Sequence, residues 1–161
     1  MNPRSFLSLA KALVDDATNS RIASPLHAAA CRSAISRAYY ATFQVACEFF
    51  TSIKLEVGRN AASHITIQHA LNNSGDASLI AVGMKLGTLH RDRLKADYEP
   101  NWAESDKSRH AAKLILLADE AIAKLDELTS GVASRAFDGT PIASQILNWA
   151  SLTQKNIRST K

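Results

Sequence analysis

The chain has 161 residues, 46% hydrophobic and 21% charged, with a formal net charge of +4. This length holds one domain with a tail, can bury a core without disulfide or metal staples, and has too many apolar residues for a disordered chain. The mild positive charge permits a nucleic-acid partner without requiring one.

Six glycines and four prolines are few for this length, and the abundant alanines favour helix. Cys31 and Cys47, on one helix, would stand about 24 Å apart, beyond the reach of a disulfide. The N-terminus lacks a signal-peptide pattern and no stretch of 18 apolar residues occurs. A cytoplasmic protein that does not engage membrane is therefore expected.

In chain order, the first helix is predicted over Arg4 to Ala17, with Phe6, Leu7, Ala10, Leu13, Val14 and Ala17 at helical spacing. Thr18 to Pro25 reads as a loop, with Pro25 suited to a first helical turn. The second and longest helix is predicted over Leu26 to Ile53, with an apolar stripe of Ile35, Tyr39, Phe43, Ala46 and Phe50. Gly58 closes the next turn. A short helix follows over Ser63 to Asn72, with Ser63 as its N-cap.

Asn73-Ser74-Gly75 breaks the chain, and Asp76 caps a fourth helix reaching about Ala96. Gly83 and Gly87, four apart, suit either a close helix crossing or simple tolerance. Pro100 ends this segment. A fifth helix is predicted over Ser105 to Leu128, with Gly131 just beyond it. Val132 to Thr140 reads as loop, Pro141 to Gln154 as a sixth helix, and Lys155 to Lys161 as a loose basic tail. The expected fold is all-α: an antiparallel bundle of four to five helices over 1–130, with a C-terminal helical appendage over 131–161.

The usual enzymatic signatures are absent: no glycine-rich phosphate loop, no zinc-type Cys/His spacing and no dinucleotide fingerprint, so neither metal nor cofactor is expected. Two stretches carry polar chemistry. Ser36-Arg37-Ala38-Tyr39-Tyr40-Ala41-Thr42-Phe43 sits midway along the second helix, where Arg32 and Ser36, four apart, and Arg37 and Tyr40, three apart, can each meet. His90-Arg91-Asp92-Arg93-Leu94-Lys95-Ala96-Asp97-Tyr98 ends the fourth helix and puts His90, Arg93 and Asp97 on one face. Solvated charge and core packing explain each stretch in the plainest way. The functional alternative is a polar site for a phosphate, with a cation to stabilise charge and His90 to move a proton.

Together the two stretches, with His64 opening the short helix, resemble a bacterial and archaeal branch of the HEPN family (higher eukaryotes and prokaryotes nucleotide-binding), over roughly Ser5 to Leu128. The resemblance implies a helical bundle, often a homodimer. It also implies a place in a defence or toxin–antitoxin system, either as a metal-independent ribonuclease or as a non-catalytic module bound to a nucleotidyltransferase or other effector. On that reading Arg93, Asp97 and His90 are the candidate catalytic residues, and Arg37, Tyr40, Arg91 and Tyr98 the candidate binding residues. The family's active members place a histidine shortly after the arginine. Here Tyr98 stands in that position after Arg93. The same Arg-to-His spacing recurs at Arg59–His64 and Arg21–His27, outside the matching helix. For the partner-binding alternative, Ile146 and Trp149 on the sixth helix are the candidate anchors.

Overall fold

The computed structural model describes residues 2–19, 24–58 and 62–160. Among them are six α-helices: α1 (Arg4–Thr18), α2 (Ser24–Ser52), α3 (Ser63–Asn72), α4 (Ala77–Tyr98), α5 (Ser108–Ala133) and α6 (Thr140–Leu152). A short 3-10 helix, Ala103–Asp106, precedes α5, and two three-residue strands, β1 (Leu55–Val57) and β2 (Ile157–Ser159), pair antiparallel. The all-α helical bundle expected from periodicity is the fold. Arg21 and Arg59, the arginines of the two alternative Arg-to-His pairs, lie outside the described residues.

The chain forms two compact units. The first comprises Met1–Thr42 and Thr88–Glu120; the second comprises Phe43–Gly87 and Ala121–Lys161. In the first, Leu7, Ala10 and Val14 of α1 are buried, as are Ala34, Ile35, Ala38 and Tyr39 of α2. Leu89 of α4 and Ala111, Leu114 and Ala118 of α5 complete its core. Lys11 of α1 reaches Asp119 of α5 at 3.0 Å on the surface.

In the second unit the large buried side chains are Phe49, Phe50, Leu55, Ile67, Leu71, Leu79, Leu86 and Leu125. Asp76 caps α4 by accepting a hydrogen bond from the Leu79 N–H at 2.9 Å, as its residue type foretold. Ser63 does something else. The backbone turns helical one residue earlier, at Ala62, and the Ser63 hydroxyl donates back to the Gly58 carbonyl. The sixth helix packs on its own unit: Ile146 is fully buried, and the Trp149 ring meets His69 edge-on at 6.5 Å.

Several helix boundaries shift by one or two residues from those predicted, and three differences are larger. The fifth helix opens at Ser108, because Lys107 is extended and separates it from the 3-10 turn. It also runs past Gly131, to Ala133. Gly131 is needed for space and not for a turn, since a Cβ there would stand 2.9 Å from the Phe137 Cβ. The chain leaves the helix instead at Arg135, with φ of 59°. The tail is the third difference: it forms β2, which pairs Val57 with Ile157 and Leu55 with Ser159. The burial of Ile157 accounts for it, one apolar side chain in an otherwise exposed segment.

Gly83 and Gly87 mark a close approach of α3 to α4. The Asn72 and Gln68 side chains occupy the space where their side chains would be. An added methyl at Gly83 would meet the Asn72 amide and stand 3.0 Å from the Leu71 Cβ. Gly83→Ala is therefore expected to destabilise the protein by about 1–3 kcal/mol through overpacking. Its stronger helix propensity would offset that by about 1 kcal/mol at most. A lower urea midpoint at unchanged slope is the expected reading; an equal or higher midpoint would mean that the crossing can open without cost.

Candidate functional site

Arg32 organises the polar end of the first unit. Its Nε donates to Asp106 Oδ1 at 2.6 Å. Nη1 donates to the carbonyls of Ala96 and Glu99 at 3.0 and 3.1 Å, and Nη2 to those of Pro100 and Trp102 at 3.0 and 3.2 Å. A guanidinium has five N–H donors, and all five are used. The acceptors include the Ala96 carbonyl in the last turn of α4, which its own helix leaves unpaired, and a cation there also complements the helix dipole. The Ser105 hydroxyl, fully buried, donates to Trp102 O at 2.7 Å and tightens the same turn.

One and two turns further along α2, the two motif stretches meet. The Ser36 hydroxyl donates to Asp97 Oδ2 at 3.3 Å. Arg93 Nη2 donates to the Tyr40 hydroxyl at 2.6 Å, and Arg93 Nε lies 2.8 Å from Asp97 Oδ2. That Nε–H is not aligned for a hydrogen bond, so the Arg93–Asp97 contact is an ion pair by proximity. Burial works against the Arg93 charge, but Tyr40, Asp97 and Tyr98 more than offset it, and the guanidinium is held above its ordinary value. Arg93 is a permanent cation.

These groups line an open pocket of about 430 Å³, formed by Ala29, Arg32, Ser33, Ser36, Arg37, Tyr40, Arg93, Ala96 and Asp97. Arg37 differs from the other two arginines. Its guanidinium carbon lies 5.5 Å from the Phe6 ring centre and 5.9 Å from that of Tyr40. Among the described residues no carboxylate pairs with it. The cation is thus held by aromatic faces, with its N–H donors uncommitted beside an open, polar cavity.

Of the seven residues singled out from sequence, Arg37, Tyr40, Arg93 and Asp97 line this pocket together. Tyr98 adjoins it: its ring centre lies 5.5 Å from the Arg93 guanidinium, and the residue is 69% exposed. His90 is not among the lining residues; its ring lies against that of buried Tyr39, centroids 5.2 Å apart. Arg91 points elsewhere, its Nε 3.1 Å from the buried Asp92 carboxylate. Sequence reading passed over Ser33, and of Arg32 it gave only that it can meet Ser36 four residues on. The i, i+4 repeat of Arg32 and Ser36 ahead of Tyr40 was the available signal, since it sets a polar stripe down one face of α2.

Two neighbouring clusters are built from the same helices. Asp92 Oδ2 lies 3.3 Å from His110 Nε2, whose ring meets Trp102 edge-on at 5.2 Å, and Lys95 Nζ lies 4.9 Å from the Trp102 ring centre. Beside Arg32 on α2, Cys31 is fully buried and its thiol is pushed up, first by burial and then by the Asp106 charge. Among the described residues no group of three or more His, Cys, Asp or Glu is placed to hold a metal ion, and no helix is long and apolar enough to cross a membrane.

Comparisons of the chain with protein-family models, with curated proteins and with solved structures found no match.

Two outcomes follow from this geometry. Arg32→Ala removes a donor from four carbonyls and the counter-charge from Asp106 at once, leaving the Ala96 and Pro100 carbonyls without the bond Arg32 gave them, and is expected to cost about 3 kcal/mol, the order seen when one partner of a largely buried ion pair is removed. Arg32→Lys should recover little, because an ammonium has three donors and no fork. Urea unfolding of the two variants checks both, and full rescue by lysine would reduce the clamp to simple charge. For Cys31, the raised thiol keeps its proton in the folded state while the unfolded thiol loses it near 9.0. The stability this contributes is complete below that pH and is lost as pH rises through the folded value. Cys31→Ser should flatten the alkaline decline of stability, and in the native protein Cys31 should resist a thiol reagent at pH 8 until the chain unfolds.

Proposed function

We propose that this chain is a HEPN-like protein of a defence or toxin–antitoxin system, acting as a homodimer, whose pocket binds RNA through its phosphates. The observation that carries the reading is the uncompensated Arg37 guanidinium on an open pocket beside Arg93, Ser33, Ser36 and Tyr40. Such a set of donors suits a phosphate diester, since guanidinium forks match phosphate oxygens and hydroxyls complete the shell. The meeting of Ser36 with Asp97 and of Tyr40 with Arg93 supports taking the two motif stretches as one site.

Binding is favoured over cleavage. Cleavage without metal needs a group to move the proton of the attacking ribose hydroxyl, and no imidazole lines the pocket. Asp97 is the only carboxylate that lines it, and that carboxylate already holds Arg93 and Ser36. The partner-binding alternative loses its two anchors, because Ile146 and Trp149 pack against their own unit.

The test is fluorescence anisotropy of a labelled single-stranded RNA, titrated with the protein at about 50 and 200 mM salt, where phosphate contacts lose affinity steeply. Wild type is expected to bind in a salt-dependent manner. Arg37→Gln should weaken binding roughly 10-fold, as for loss of one charge-assisted hydrogen bond of about 1.5 kcal/mol. RNA left intact over hours in chelator supports the binding reading. Cleavage by wild type that is lost in Arg93→Ala would replace it with a ribonuclease. No binding, or an Arg37→Gln variant indistinguishable from wild type, would overturn it.

A further inference from the structure

Rings and guanidiniums alternate across the first unit. The Arg37 guanidinium lies against Phe6 and Tyr40, and that of Arg93 lies 5.2 Å from the centre of the same Tyr40 ring and 5.5 Å from that of Tyr98. Each separation is within the range where a cation is attracted to a ring face. The series begins at Phe6 on α1, which is half-buried, and ends at Tyr98 in the last turn of α4, which is not.

A lone exposed aromatic ordinarily needs no explanation. Tyr98 differs in being held. Arg93, against which it rests, is fixed by the Tyr40 hydroxyl and the Asp97 carboxylate, and the end of α4 is fixed by the Arg32 clamp. A ring that is both positioned and open to solvent offers its remaining surface to a flat, apolar-faced partner at little entropic cost. Next to a phosphate-binding cavity, that partner is a nucleobase.

We infer that Tyr98 is a stacking platform for an unpaired base of the strand whose phosphate Arg37 takes, so that the site selects single-stranded over duplex RNA. This rests on the RNA-binding reading above. In a duplex the bases are stacked on one another and closed to such contact, whereas an unpaired base can be splayed onto an aromatic ring. Stacking of this kind tolerates any base, and is worth about 1–3 kcal/mol per base by alanine substitution. The direct polar contacts fall to the phosphate, and the aromatic ring reads only whether the base is free.

The experiment uses three ligands of equal length: a labelled twelve-nucleotide oligoadenylate RNA, the same strand annealed to its complement, and the same strand with abasic sites in place of its bases. Wild type is expected to bind the free strand more tightly than the duplex. Tyr98→Ala should weaken binding of the free strand roughly 5- to 150-fold, the factor that corresponds to the stacking energy of one base. Tyr98→Phe should retain the wild-type affinity, since the ring and not the hydroxyl is required. Neither variant should change binding of the abasic strand. Tyr98 is exposed, so both variants are expected to fold, and far-UV circular dichroism checks it. Equal affinity for strand and duplex, or a Tyr98→Ala variant that binds the free strand like wild type, overturns the inference. If Arg37→Gln still weakens binding in that case, the phosphate reading stands and only the stacking role falls. If wild type binds none of the three, both fall together.

Discussion

The polar half of the first unit depends on the Arg32 guanidinium. An arginine this enclosed is costly unless every N–H finds an acceptor, and here five acceptors converge from the end of α4 and the 3-10 turn. The bonds fix the end of α4 against one point on α2. Ser36, Arg37 and Tyr40 follow on the next two turns of α2, and Asp97 and Arg93 precede that point on α4. With one contact fixed, the helical rise on each side sets which residues can meet. Ser36 meets Asp97 and Tyr40 meets Arg93 in consequence.

Among the described residues three guanidiniums line the pocket, in three states of commitment. All the donors of Arg32 are used by the fold. Arg93 is partly committed, to a phenol and a carboxylate that keep it charged although it is largely enclosed. Arg37 has rings on it and no counter-charge among the described residues. Desolvation explains the gradient: a cation deep in the structure must be paired, whereas one supported by aromatic faces can stay open to water and to an incoming anion. On the proposed reading Arg37 is the guanidinium whose donors remain for an anion, and Arg93 acts on it by position and field.

The helices were legible in the sequence because apolar spacing, Asp76 and the Asn73-Ser74-Gly75 break are local signals. What was not legible is tertiary. Gly131 reads locally as a helix end, but it serves to admit Phe137, and the turn falls to Arg135 in a conformation that nothing in its residue type announces. Ile157 is a single apolar residue in a polar tail, too little for a period, yet its burial opposite Val57 accompanies the pairing of β2 with β1. At the site, the spacing along each helix was readable, as was the Arg93–Asp97 pair. The clamp was not, because four of the five groups that Arg32 binds are backbone carbonyls, and backbone has no sequence signature.

The histidines carry the argument about chemistry one step further. The His90 ring lies on Tyr39, His64 on Phe43, His69 against Trp149, and His110 between Asp92 and Trp102. His27 sits one turn from Cys31, its Nδ1 4.0 Å from the sulfur. Every imidazole of the chain thus has a packing partner of its own, and none lines the pocket where Arg37 and Arg93 gather. A site that binds an anion needs fixed cations and hydroxyls; a site that cleaves a phosphodiester without metal needs, in addition, a group that trades a proton near neutral pH. The first set is assembled on α2 and α4. Among the described residues no imidazole joins that set at the pocket.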